Sequence, residues 1–112
     1  MKKLTDIITE KLVLNKSTSK GNEYNYHPKN WDELRSLLKR LLDERGPDAD
    51  LNDIDVSKVH NFEQLFYALE VHNIDLSEWD VSNVTDMYGL FDDCINFESA
   101  NIANWDVSNV TD

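Results

Sequence analysis

From residue 51 onward the apolar positions follow a pattern written nearly three times. Leu51, Ile54 and Val56 precede Val59, Phe62, Leu65 and Phe66; Leu76, Trp79 and Val81 precede Val84, Met87, Leu90 and Phe91; Ile102, Trp105 and Val107 precede Val110. The second and third positions of each set sit at i and i+2, as in a strand, which places Trp79 and Val81 on one face and Asp80 on the other. The positions that follow are spaced i, i+3, i+6 and i+7, one face of a short helix. The Asp-Val pairs at 55/56, 80/81 and 106/107 set periods of 25 and then 26 residues, within the range of repeat proteins. Neither half of such a unit buries its apolar face alone, so neighbouring units are expected to stack with equivalent side chains in ladders. Predicted ladders include Leu51-Leu76-Ile102, Ile54-Trp79-Trp105, Val56-Val81-Val107, Phe66-Phe91 and Leu69-Cys94.

The first half of the chain reads differently. Leu4, Ile7, Ile8 and Leu12 predict an amphipathic helix, and residues 15–29, polar with Gly21 and Pro28, predict a loop in which Tyr24 and Tyr26 form a brief extended segment along an open edge. Lys16, Lys20 and Lys29 among these tyrosines fit a plain surface loop better than a nucleic-acid site, given the acidity that follows. A second helix is strongly marked: Asn30 as cap with Glu33 three residues on, Leu34, Leu37, Leu38, Leu41 and Leu42 as the apolar face, and Gly46-Pro47 as the stop. Its expected place is over the first unit, covering Ile54 and Phe62. Two regions follow: 1–50, N-terminal helices and a loop capping the array, and 51–112, two full units and an incomplete third.

The string Trp79-Asp80-Val81-Ser82-Asn83-Val84-Thr85-Asp86-Met87, with Leu90-Phe91 and Cys94, resembles the BspA-like leucine-rich repeats, the roughly 26-residue repeat of many bacterial surface proteins. The resemblance covers 51–112. It implies an α/β repeat fold, a leucine-rich-repeat-type solenoid of one short strand plus one short helix per turn with an N-terminal helical cap, and a non-catalytic binding role. The general pattern has asparagine where this chain has Val59, Val84 and Val110, with Asn83 and Asn109 one residue early, so no regular asparagine ladder follows. The Met1-Lys2-Lys3-Leu4 opening with Glu10-Lys11-Leu12 resembles leaders of some tailed-phage proteins, which implies a phage or prophage origin.

Charge changes the picture. The chain of 112 residues carries a net charge of -11. Residues 1–50 hold 10 Lys/Arg against 9 Asp/Glu, for +1, and residues 51–112 hold Lys58 against 13 Asp/Glu, for -12. An acidic body of this kind repels nucleic acid and anionic membrane and attracts basic partners or cations. Asp6, Glu10 and Lys11 interrupt any signal-peptide core and no apolar run is long enough to span a bilayer, so the expected location is cytoplasmic. The single cysteine, Cys94, excludes an internal disulfide and reads as a small buried hydrophobe.

No constellation carries chemistry. Asp48, Asp50 and Asn52 begin like a calcium loop, but Asp53 stands where glycine is needed and Val59 where a bidentate glutamate is needed. His27, His60 and His72 lack metal-ligand spacing, and neither a nucleophile elbow nor a phosphate loop is present. No enzyme activity, cofactor or metal is expected.

Asp55, Asp80 and Asp106 are expected on one face, each satisfied by the serine two residues on or, as a row, raising one another's pKa; Asp53 and Glu78 are expected to face a partner. The expected function is protein recognition, with Asp53, Asp75, Glu78, Asp80, Asn104 and Asp106 presenting an acidic surface to a basic protein. Two alternatives stand beside it: an acidic inhibitor of a nucleic-acid-binding enzyme or host-defence nuclease, and a fragment of a bacterial surface adhesin. The incomplete third unit predicts either a shortened array or a homodimer through Trp105, Val107 and Val110, the homodimer being favoured.

Overall fold

The computed structural model describes residues 24–94 and 96–111. The helix expected over Leu4 to Leu12 and the first part of the expected loop lie outside them.

Helix α1, Trp31–Arg45, forms where its caps dictate. Asn30 is extended, with φ -153°, and its side-chain oxygen accepts the Glu33 amide at 2.9 Å, while the Glu33 carboxylate accepts the Lys29 amide at 2.9 Å. Gly46 ends the helix at φ 90°, its N–H donating to the Leu42 carbonyl at 2.8 Å. Leu34, Leu38, Leu41 and Leu42 are buried and Leu37 is half-buried, so the helix seats a leucine face of the kind that contributes about 1.5–3 kcal/mol per side chain. Two polar side chains fix that seat on the first sequence copy: the Trp31 indole donates to the Glu63 carbonyl at 2.8 Å, and the Arg35 guanidinium donates to the Leu65 carbonyl at 2.9 Å.

The remaining regular elements are two three-residue strands, β1 (Asn73–Asp75) and β2 (Ser99–Asn101), paired in parallel with Asn73 opposite Ser99, Ile74 opposite Ala100 and Asp75 opposite Asn101. Single parallel bridges join Tyr26 to Ile54, Asp50 to Asp75 and Asn61 to Asp86. The Tyr26 bridge is the extended edge segment expected of Tyr24 and Tyr26: the Asn25 and Tyr26 amides donate to the Asp53 carbonyl and the Asp55 amide donates to the Tyr26 carbonyl.

These elements overturn the expected architecture. A leucine-rich-repeat-type solenoid with one short strand and one short helix per turn does not form; the described residues make a small compact globule with one helix and one two-stranded parallel sheet. The expected strands at Leu51, Leu76 and Ile102 are turns, closed by Trp79 N–H to the Leu76 carbonyl at 3.1 Å and Trp105 N–H to the Ile102 carbonyl at 3.1 Å. The expected helices over Val59–Phe66 and Val84–Phe91 are also turns. Their amide directions give the reason. Phe62, Gln64, Phe66 and Ala68 donate outward to the carbonyls of Asp86, Tyr88, Leu90 and Asp92 at 2.8–3.0 Å, while Val59, Leu65, Tyr67 and Leu69 bond locally, each to the residue three before it. An α-helix requires successive amides to bond four residues back. Left-handed residues complete the break: Gln64 (φ 51°), Ala68 (φ 60°), Gly89 (φ 61°) and Asp93 (φ 54°) recur at equivalent points of the two copies.

Apolar side chains still meet across the copies. Trp79 lies between Phe66 (6.1 Å, 21°) and Trp105 (6.2 Å, 6°), with Phe62 edge-on at 5.7 Å, and Phe66 stacks on Phe91 at 5.2 Å. Each indole finds an acceptor: Trp79 donates to the Leu51 carbonyl at 2.8 Å and Trp105 to the Leu76 carbonyl at 2.9 Å. Cys94 is half-buried rather than fully enclosed; its thiol donates to the Phe66 carbonyl at 3.0 Å, and burial pushes its pKa up. Among the described residues no helix is long and apolar enough to cross a membrane.

Candidate acidic binding surface

Four carboxylates of residues 51–111, Asp55, Asp75, Asp80 and Asp106, are positioned by hydrogen bonds within their own turns. Where Asp is followed two residues later by Ser, the Asp side chain accepts from that serine. Asp55 accepts the Ser57 amide and hydroxyl at 3.0 and 2.7 Å, Asp75 those of Ser77 at 3.0 and 2.7 Å, Asp80 those of Ser82 at 3.1 and 2.6 Å, and Asp106 the Ser108 amide at 3.0 Å. The motif recurs because a two-residue separation lets the carboxylate close its own turn.

These bonds set the charge state. Burial pushes the Asp55 carboxyl up, but the Ser57 hydroxyl and amide and the His27 ring more than offset it and hold it below the ordinary range. Burial acts the same way on Asp75, offset by Ser77 and the Asn52 amide. The Ser108 bonds hold the exposed Asp106 low. For Asp55 and Asp106 the shift is therefore opposite to the mutual raising that a row of carboxylates predicts, and for Asp75 as well the hydrogen bonds to the ionised form outweigh burial.

Asp53 is also placed differently from the expectation that it faces a partner. The Arg45 guanidinium holds it with two bonds of 2.9 Å, and the Asn25 amide donates at 2.8 Å. The Arg45 bond is the largest influence on its carboxyl, which sits below the ordinary range, and the Asp53 bond in turn raises Arg45. Asp53 fastens the end of α1 and the Tyr24–Tyr26 segment to the first copy, so its charge is neutralised in place.

The other expected residues fall into two groups. Asp75 and Glu78 meet at Asn52, whose side chain bonds Asp75 and accepts the Glu78 amide at 2.8 Å; Glu78 itself is exposed. Asp80 and Asp106 occupy adjacent turns, since the Asn109 amide donates to the Ser82 carbonyl at 2.6 Å, and both are exposed, as is Asn104. Trp105 and Val110 are half-buried and Val107 is exposed. Asn83 and Asn109 stand one residue early for the asparagine of the general pattern, which puts a regular ladder in doubt, yet each bridges to the preceding copy, to the Ser57 and Ser82 carbonyls. Arg45, the neutralising cation, carried no signal in the sequence.

Asp48 and Asp50 are committed to the Asn73 and Asn52 amides, and among the described residues no three His, Cys, Asp or Glu side chains are placed to hold a metal. Two open hollows flank α1, one beside Lys39, Arg40, Pro47 and Glu70 and the other beside Tyr26, His27, Asp32 and Arg40; neither contains a carboxylate of the acidic surface.

A family model described as Mycoplasma protein of unknown function, DUF285, matches residues 35–112. The chain belongs to this family. The DUF285 match begins within α1, so it takes in most of the helix together with the repeated string. No curated protein and no solved structure matches this DUF285 chain.

Proposed function

We propose that the chain is a non-enzymatic protein-binding module that presents an acidic surface to a basic protein partner. One observation carries this reading. Asp80 and Asp106 are held outward by serines of their own turns, beside exposed Glu78, on a region with a net charge of -12 that has Lys58 as its one cation. Carboxylates already oriented by local bonds lose little conformational freedom when a cation docks, and a field of one sign speeds the encounter. Asp53 is not part of this surface; Arg45 has withdrawn it. The BspA-like character of the repeated string supports recognition as the role, while the family description lends no activity.

The test is calorimetric titration with a peptide of about ten lysines at low and physiological salt. The triple variant Glu78→Lys, Asp80→Lys, Asp106→Lys, shown to be folded by circular dichroism, is expected to lose at least roughly tenfold in affinity. An unchanged affinity overturns the reading.

A further inference from the structure

We propose that residues 24–27 are an autoinhibitory strap, which covers the first copy's member of the acidic row, Asp55, until a basic partner displaces it and gains that carboxylate. This rests on the acidic-surface reading and states how access to that surface is regulated.

The three copies carry the same turn at this point. Asp55, Asp80 and Asp106 each accept from the serine two residues on, and Asp80 and Asp106 are exposed. The Asp55 side chain is 23% exposed. Stacking of copies does not account for the difference. Asp80 has a copy on either side, joined through Asn83 to the Ser57 carbonyl and through Asn109 to the Ser82 carbonyl, and it is exposed all the same. What separates Asp55 from Asp80 is the strap. His27 Nδ1 lies 3.4 Å from the Asp55 carboxylate, and the Asp55 amide donates to the Tyr26 carbonyl at 2.8 Å. Among the described residues, no side chain outside its own turn bonds the Asp80 carboxylate.

The strap imitates the occupant it excludes. Its Tyr26 forms a parallel bridge with Ile54, and an imidazole nitrogen meets the Asp55 carboxylate where a partner's Lys or Arg would pair. Its side-chain bonds are of a kind that opens readily. Asn25 and His27 are exposed, so the Asn25–Asp53 and His27–Asp55 bonds compete with water. Arg40 over the Tyr26 ring, at 5.5 Å from its centre, is the contact with α1 that opening has to break. Pro28 is buried and fixes the end of the strap next to α1, which makes 24–27 the part that moves. Arg45 keeps Asp53 in either state, so the carboxylate gained on opening is Asp55.

The probe is the peptide of about ten lysines at low salt, titrated against the unvaried chain and against the double variant Asn25→Ala, His27→Ala, shown to be folded by circular dichroism. The opened variant is expected to bind roughly threefold tighter, the scale of one added exposed ion pair. Adding Asp55→Asn to the opened variant removes the gain, and Asp55→Asn costs more there than in the intact chain. Hydrogen exchange on the unvaried chain reads the same event without substitution. With the peptide bound, the Asp55 amide, whose acceptor is the Tyr26 carbonyl, exchanges faster, while the Leu51 amide, bonded to the Asp75 carbonyl, keeps its rate. Equal or weaker binding by the opened variant, a gain that survives Asp55→Asn, or an Asp55 amide that the peptide slows or leaves unchanged overturns the strap and leaves the acidic surface standing. Where the double variant does not fold, the exchange measurement decides alone. No binding of the peptide to any form overturns the acidic-surface reading, and the strap with it.

Discussion

The first sequence copy and the third place the same kinds of side chain in different surroundings. In the first, α1 and the Tyr26 segment lie on one side and the second copy on the other, and Val56 is 1% exposed. In the third, the described neighbours are the second copy and the ring of Phe62, and Val107 is 49% exposed. Trp79, flanked by aromatic rings on two sides, is buried, while Trp105, with Trp79 against one face and Phe62 at its edge, is half-buried. Hydrophobic identity thus fixes which face turns inward, and the number of neighbours fixes how much that face stabilises. Among the described residues the third copy is the less enclosed of the two.

Truncating the paired tryptophans tests this contrast most severely. Trp79→Ala removes a buried ring and leaves the Leu51 carbonyl without its donor, so it is expected to cost about 3–5 kcal/mol in chemical denaturation. Trp105→Ala removes a ring already open on one side and is expected to cost about 1–2 kcal/mol. Equal losses would mean that the two copies are equally enclosed, and the contrast would fail.

The contrast also explains what could be read from the residues alone. The α1 boundaries were legible because Asn30, Glu33 and Gly46 act locally, and the Asp-x-Ser bonds were legible for the same reason. The two helical turns per copy were misread because an i, i+3, i+6, i+7 apolar spacing is shared by a helix and by successive tight turns whose intervening amides bond to another copy. Only the direction of those amides separates the two, and that direction is a tertiary fact. The strands were missed because Asn73–Asp75 and Ser99–Asn101 each hold one apolar residue, too few for an alternation to show. The Arg45–Asp53 pair was hidden because its partners belong to different elements, brought together only by the stop at Gly46.

Acid sensitivity sharpens the comparison at smaller magnitude. Asp53, Asp55 and Asp75 all have carboxyls below their ordinary range in the folded chain. The sign follows: each contributes stability that is full above the unfolded value of about 3.9 and is lost as pH falls through the lower folded value. Thermal midpoints are therefore expected to be flat from neutral pH to about 5 and to fall below about 4. Asp53→Asn, which leaves Arg45 without its carboxylate, is expected to cost about 1–2 kcal/mol at pH 7 and to flatten the acid limb. Asp106→Asn, in the open copy, is expected to leave the neutral-pH midpoint where it was. An acid limb unchanged in Asp53→Asn would show that the enclosed carboxylates do not set the acid response.

The smallest effect concerns the turns themselves. At equivalent points of two copies the chain places Gln64 and Gly89 in left-handed conformations of nearly the same φ, and Ala68 and Asp93 form a second such pair. Ala68 is exposed, and its amide bonds to the Asp92 carbonyl at 3.0 Å, so its conformation is imposed by the backbone pairing rather than by side-chain packing. An L-residue held there carries about 1–2 kcal/mol of strain, and glycine removes it while giving back about 0.5–1 kcal/mol through the greater freedom of the unfolded chain. Ala68→Gly is therefore expected to raise stability by up to about 1 kcal/mol. Gly89→Ala should do the reverse by more, since a Cβ there would meet the Asp92 carboxylate at 2.6 Å in addition to the backbone strain. Denaturation curves of the two variants decide the matter: a loss of stability in Ala68→Gly would mean that the copies are not held by the outward amide bonds, and the account of why these segments are turns rather than helices would fall with it.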